Sequence, residues 1–164
     1  SWISLRTTSL PRKTLLLNAV YSIVLGGVTV LLLMTQGVLS LEPWYTPSYM
    51  IPLGGMIFAN CMNSISLAAE RLESELKQGQ SYEKAKVIAL RTSLIPITNM
   101  LLAVGLVSLP GMMTGQILSG VSPLIAVRYQ IMVMCMIFGS SGISAAVFLH
   151  SAKDSFTEAK NRFE

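Results

Sequence analysis

Charged side chains divide the sequence into four long uncharged stretches, Thr14 to Leu41, Pro43 to Ala69, Thr92 to Val127 and Tyr129 to Ala152. A helix rising about 1.5 Å per residue needs about 20 residues to cross a hydrocarbon core of about 30 Å, so each stretch is long enough to span a bilayer. The pattern predicts an all-α fold, a polytopic transmembrane helical bundle of about four spans, within one domain covering residues 1–164. The spans are expected at about 15–40, 48–69, 93–109 and 129–150.

The third stretch is too long for a single crossing, because Thr92 to Val127 as one helix would extend about 54 Å. It must break, and Pro110-Gly111 is the expected place, since proline removes a helical hydrogen bond and glycine frees the backbone. A short helix over 112–119 and a turn at Gly120 to Pro123 should follow. Broken helices at membrane depth persist only against protein or a water-filled cavity, so the break points toward function.

Between the second and third spans, residues 70–92 form a charged connection, expected as a loop or helical hairpin, with Glu73 and Lys77 spaced i,i+4 and Glu83 close to Lys86. On the opposite side, Pro43 and Pro47 flank Trp44 and Tyr45, an arrangement that stops a helix and suits the headgroup region. Eleven of the twelve Lys and Arg residues fall before the first span, between the second and third, or after the fourth; Arg128 is the exception. The positive-inside rule therefore predicts both ends of the chain in the cytoplasm.

Composition agrees with a bilayer as solvent: 52% of residues are hydrophobic, 12% are charged and mean hydropathy is +0.59. The net charge of +4 does not indicate nucleic acid, because the basic residues separate long apolar runs, and anionic lipid headgroups are the expected counter-charge. Cys61 and Cys135 lie in apolar segments and read as small buried hydrophobes, with no disulfide framework or zinc spacing. No phosphate-binding loop, nucleophile elbow or His-Glu-x-x-His occurs and His150 is the single histidine, so no catalytic residues, cofactor or metal ligands are expected. The ten methionines could suggest a soft metal, yet Met132, Met134 and Met136 are two apart and diverge around a helix, as packing residues do.

Uncharged polar residues remain at membrane depth: Asn60, Asn63, Ser64 and Ser66, then Thr98 and Asn99, then Thr114, Gln116 and Gln130. Asn60, Asn63 and Ser64 share a helical face at spacings of three and four, as a pore lining or an interhelical contact requires. Gly26-Gly27, Gly54-Gly55 and the small residues from Gly139 to Ala146 supply surfaces for close helix packing.

The run Val104 to Leu118, followed by Ser122-Pro123-Leu124-Ile125-Ala126-Val127-Arg128-Tyr129-Gln130 and on to Met134, resembles the FetB-like permeases, membrane subunits of bacterial iron-export ABC transporters related to plant aluminium-tolerance permeases. Met50 to Ile57 with Asn60 and Met62-Asn63, and Leu94-Ile95-Pro96, are similar to the same family in the same order. The resemblance implies a permease rather than an enzyme, resident in the bacterial inner membrane. Its partners would be a separate ATP-binding subunit and a second permease copy. It also implies a substrate path near the break, for which Asn60, Asn63, Asn99, Pro110, Gly111, Met112, Met113, Thr114 and Gln116 are candidates, with Glu73, Lys77 and Lys84 as candidate partner contacts. Family members carry further hydrophobic helices ahead of the position of Ser1 and an extra cytoplasmic stretch between those of Gln80 and Ser81. The chain thus resembles their C-terminal part, an N-terminally incomplete permease domain. A non-transporting membrane scaffold and a permease for a non-metal solute are the alternatives.

Overall fold

The computed structural model describes residues 12–40, 42–43, 45–104 and 110–153. Five α-helices account for almost all of them: α1 (Arg12–Leu32), continued by a π-helical segment Leu33–Val38, α2 (Pro47–Lys77), α3 (Tyr82–Ala103), α4 (Gly111–Leu118) and α5 (Pro123–Ser151). Four segments are long and apolar enough to cross a membrane: Leu15–Val38, Pro47–Lys77, Tyr82–Ala103 and Pro123–Ser151.

Local chemistry sets the boundaries. The switch from α to π geometry in the first span coincides with Thr35, whose hydroxyl donates to the carbonyls of Leu31 and Leu32 at 3.0 and 3.3 Å and so occupies acceptors of the regular ladder. Leu39 N–H then bonds Met34 O, five residues back. Pro47 and Pro123 stand in the first turns of α2 and α5, where a missing N–H costs nothing. Gly79 (φ +81°) and Gly120 (φ +89°) end α2 and α4 in the left-handed region. Each closes a paired terminal bond set, Gly79 N–H to Leu76 O with Gln80 N–H to Glu75 O, and Gly120 N–H to Ile117 O with Val121 N–H to Gln116 O.

Two expected boundaries move. The charged connection is mostly helix: α2 runs on to Lys77 and α3 starts at Tyr82, leaving only residues 78–81 between them. The Arg71–Glu75 and Glu73–Lys77 pairs brace the last turns of α2. Glu83, expected near Lys86, instead reaches Lys153 across the bundle at 3.7 Å. Helix α3 ends at Ala103, with Val104 extended (φ −65°, ψ 126°), and the rest of the expected third span, 105–109, lies outside the described residues. Pro110, in extended geometry, stands at the N-cap of α4.

The helices run alternately up and down. Asn18 Nδ2 near the start of α1 donates to Ser151 O at the end of α5, and the Tyr82 hydroxyl at the start of α3 donates to Leu149 O. The start of α1 and the end of α5 thus share one end of the bundle, the charged end, with the α2–α3 turn. Two apolar clusters fill the interior. The one near the charged end joins Leu15 and Ala19 to Leu72, Ala85, Ala89, Phe148 and Leu149. The other joins Leu31, Leu53, Ile57, Ile97, Val133 and Ile137.

Candidate functional site

Between those clusters lies a layer of buried hydroxyls. Ser22 of α1, Ser64 of α2, Ser93 of α3, and Ser140, Ser141 and Ser144 of α5 are all within 1% of complete burial. In sequence each sits between the cluster residues of its own helix: Ser22 between Ala19 and Leu31, Ser93 between Ala89 and Ile97, Ser140 between Ile137 and Ala145. Ser22, Ser93 and Ser140 satisfy their protons on backbone carbonyls of their own helices at 2.7, 2.8 and 3.1 Å. The Ser141 and Ser144 Oγ atoms are buried without a partner. Burying hydroxyls costs free energy unless they are bonded, and the small side chains here also allow close approach. A Cβ added to Gly26 would lie 2.9 Å from Ser144 N and 3.2 Å from its Cα, so α1 and α5 touch nearly backbone to backbone.

The residues around the break form a second zone. Pro110 is extended (φ −60°, ψ 140°), and its carbonyl receives both the backbone N–H and the hydroxyl of Thr114, at 3.0 and 3.3 Å. Met113 is buried, while Met112 packs with Tyr129 and Met132 against the cluster far from the charged end. Gly111 is exposed. Gln116 Oε1 and Gln130 Oε1 are buried with no partner, and Gln130 as a residue is only 3% exposed. The break thus carries neutral oxygen acceptors beside methionine sulfurs, a mixture able to solvate a polar or cationic solute without a fixed charge.

The amide residues lie elsewhere. Ser64 points inward, Asn60 is half-buried and donates to Met56 O at 2.8 Å, and Asn63 and Asn99 are exposed on the outside of the bundle. The face proposed for Asn60, Asn63 and Ser64 therefore turns from the interior to the outer surface, and Asn99 does not join the hydroxyl layer. At the charged end Glu73 and Lys77 engage each other at 2.7 Å and Lys84 is exposed. Of the two cysteines Cys61 is buried and Cys135 faces outward, against the expectation that both are interior, because α5 turns Met134, Met136 and Ile137 inward on either side of it. Ser144 falls in the small-residue run expected to pack closely, whereas Ser22 and Ser93 carry no such signal beyond the four-residue spacing of Ser22 and Gly26. No group of three or more His, Cys, Asp or Glu side chains able to hold a metal occurs among the described residues.

Comparison with known proteins adds the family. The chain matches the family described as Uncharacterised protein family (UPF0014) in two overlapping pieces, residues 1–88 and 77–156, and the pieces meet at the α2–α3 turn. It is 43% identical over 137 residues to the UPF0014 membrane protein slr1647 of Synechocystis, covering 73% of this chain and 53% of that one. It is 31% identical over 152 residues to the probable iron export permease protein FetB of Escherichia coli, covering 84% and 57%. With the Arabidopsis thaliana protein ALUMINUM SENSITIVE 3 it shares 35% identity over 127 residues, covering 68% and 46%. The chain spans about half the length of the curated relatives it matches. No solved structure matches it. Four apolar spans around a hydroxyl-lined core, with a family match from end to end of the described helices, identify the chain as an integral membrane protein of the UPF0014 family.

Proposed function

We propose that the chain is a membrane-spanning permease unit of an ABC transporter that moves iron or another metal ion or complex out of the cytoplasm. The observation that carries this reading is the likeness over 84% of the chain to a relative named as a probable iron export permease. In this reading ATP hydrolysis belongs to a separate subunit, which docks at the charged end through the exposed ends of α2 and α3, with Lys77 and Lys84 accessible to it. That end faces the cytoplasm, as the distribution of Lys and Arg favours. The path runs past the break, where Pro110, Gly111, Met112, Met113, Thr114 and Gln116 offer neutral oxygens and sulfurs, and along the amides Asn60, Asn63 and Asn99. Two copies of the permease assemble around it.

The test is co-purification of the chain with an ATPase encoded beside it, followed by ATPase assay of the reconstituted pair. The reading expects a stable complex whose hydrolysis rises on adding the permease and iron. A second reading, a non-transporting membrane scaffold, draws support from the four-residue α2–α3 connection, which leaves no separate helix there to couple to an ATPase. A complex with unaltered hydrolysis, in cells whose iron content is normal without the chain, would favour the scaffold.

A further inference from the structure

Polar links between different helices converge on the end of α5. The Tyr82 hydroxyl of α3 donates to Leu149 O, Asn18 Nδ2 of α1 donates to Ser151 O at 3.2 Å, and Lys153 pairs with Glu83 at 3.7 Å. The last carbonyls of a helix have no partner in its own ladder, and here two of them are met from neighbouring helices. Parting α1 and α3 from α5 would break both bonds. Behind these links apolar burial is thin. Seven of the twelve buried residues in the cluster near the charged end are alanine, whereas the cluster at the far end has none among the described residues. An alanine buries one methyl where leucine or isoleucine buries four carbons, so burial and dispersion hold the charged end less firmly. Ser141 and Ser144 stand eight and five residues before Leu149, about 12 and 8 Å further in along α5. Their Oγ atoms are buried and unpartnered, and water reaching them would supply the missing bonds.

We infer that the charged end is a gate, closed in this structure, and that the capping of α5 by Tyr82 and Asn18 is the latch that holds it. Closed, the gate sets two polar bonds against sparse apolar burial and two unsatisfied hydroxyls, which is the balance of an element with two accessible states. Released, it lets α1 and α3 move off the end of α5. The Leu149 and Ser151 carbonyls then find water instead of side chains, and water enters as far as the hydroxyl layer. The Glu83–Lys153 pair lies at the rim with both side chains exposed, so it adds little to the latch. The large aliphatic residues of the far cluster stay packed throughout, which confines the motion to one end. That the gate opens toward the cytoplasm rests on the permease reading; the latch itself does not.

The experiment is single-cysteine labelling of the full chain in native membrane vesicles, with Cys61 and Cys135 replaced by alanine. A charged methanethiosulfonate reagent reacts with a thiol only where water reaches it. Ser141→Cys reports the hydroxyl layer, and Val133→Cys, in the far cluster, reports general loosening of the bundle. Tyr82→Phe or Asn18→Ala should each raise the labelling rate of Ser141→Cys by about two- to tenfold, and the two together by more than either, with Val133→Cys unchanged. Rates that rise equally at both positions would overturn the gate and leave the two bonds as plain fastenings. Unchanged labelling of Ser141→Cys in the double variant would overturn it as well. Faster labelling of Ser141→Cys in inverted vesicles places the gate on the cytoplasmic side. The same increase confined to right-side-out vesicles would keep the latch and overturn the orientation on which the permease reading depends.

Discussion

Replacing Gly26 by alanine tests the tightest contact in the bundle. The added methyl would stand 2.9 Å from Ser144 N and 3.2 Å from Ser144 Cα, both backbone atoms that cannot rotate away. Restoring an ordinary separation of about 3.5 Å requires α1 and α5 to part by about 0.6 Å, and a gap of that size forfeits a quarter or more of the dispersion energy along the seam. Overpacking of this kind typically costs about 1–3 kcal/mol. Alanine also gains about 1 kcal/mol over glycine from helix propensity, so the raw change understates the contact. Gly142→Ala supplies the control: Gly142 lies in α5, a Cβ there meets nothing within 4 Å, and the propensity gain is the same. The difference between the two variants should therefore be about 1–3 kcal/mol, roughly 5- to 160-fold in the folded-to-unfolded ratio. It is read as the shift in unfolding midpoint by circular dichroism in mixed detergent micelles with rising SDS. Adding Ser144→Ala to Gly26→Ala should recover only part of the loss, since the backbone contacts persist. Equal stabilities for Gly26→Ala and Gly142→Ala would refute the close crossing of α1 and α5.

Tyr82→Phe removes the hydroxyl that ties the start of α3 to Leu149 O of α5 and should lower stability by about 0.5–1.5 kcal/mol in the same assay; no change would mean the bond contributes nothing. Gln130→Leu replaces a 3% exposed amide whose oxygen has no partner, so stability should hold or rise by about 1 kcal/mol. If Gln130 faces the transport path, transport falls in that stable protein, and a variant that is destabilised instead would show the amide to be bonded.

The spans, the break in the third hydrophobic stretch and the short helix after it were legible because each follows from a local rule: length against bilayer thickness, proline and glycine, and the spacing of charges. The charged end was less so. Glu73 and Lys77 identify a helix, but that α2 and α3 continue almost into each other depends on Leu72, Ala85 and Ala89 being buried against α5, a tertiary fact. The hydroxyl layer was hidden for the same reason. A serine in an apolar run reads alike whether it faces lipid or core, and only the packing of four helices separates Ser144, fully buried, from Asn63, exposed on a face that sequence spacing assigned together with Ser64. Amide residues at membrane depth were found readily from sequence; the direction in which each points was not.

ATP-driven metal movement is the direct measure of transport by this permease unit. Inverted membrane vesicles carrying the permease together with its ATPase should accumulate radioactive iron when ATP is supplied, and lose that accumulation when the ATPase cannot hydrolyse. Vesicles that contain the assembled complex and hydrolyse ATP, yet take up iron no faster than vesicles lacking the chain, would contradict the assignment as an iron exporter.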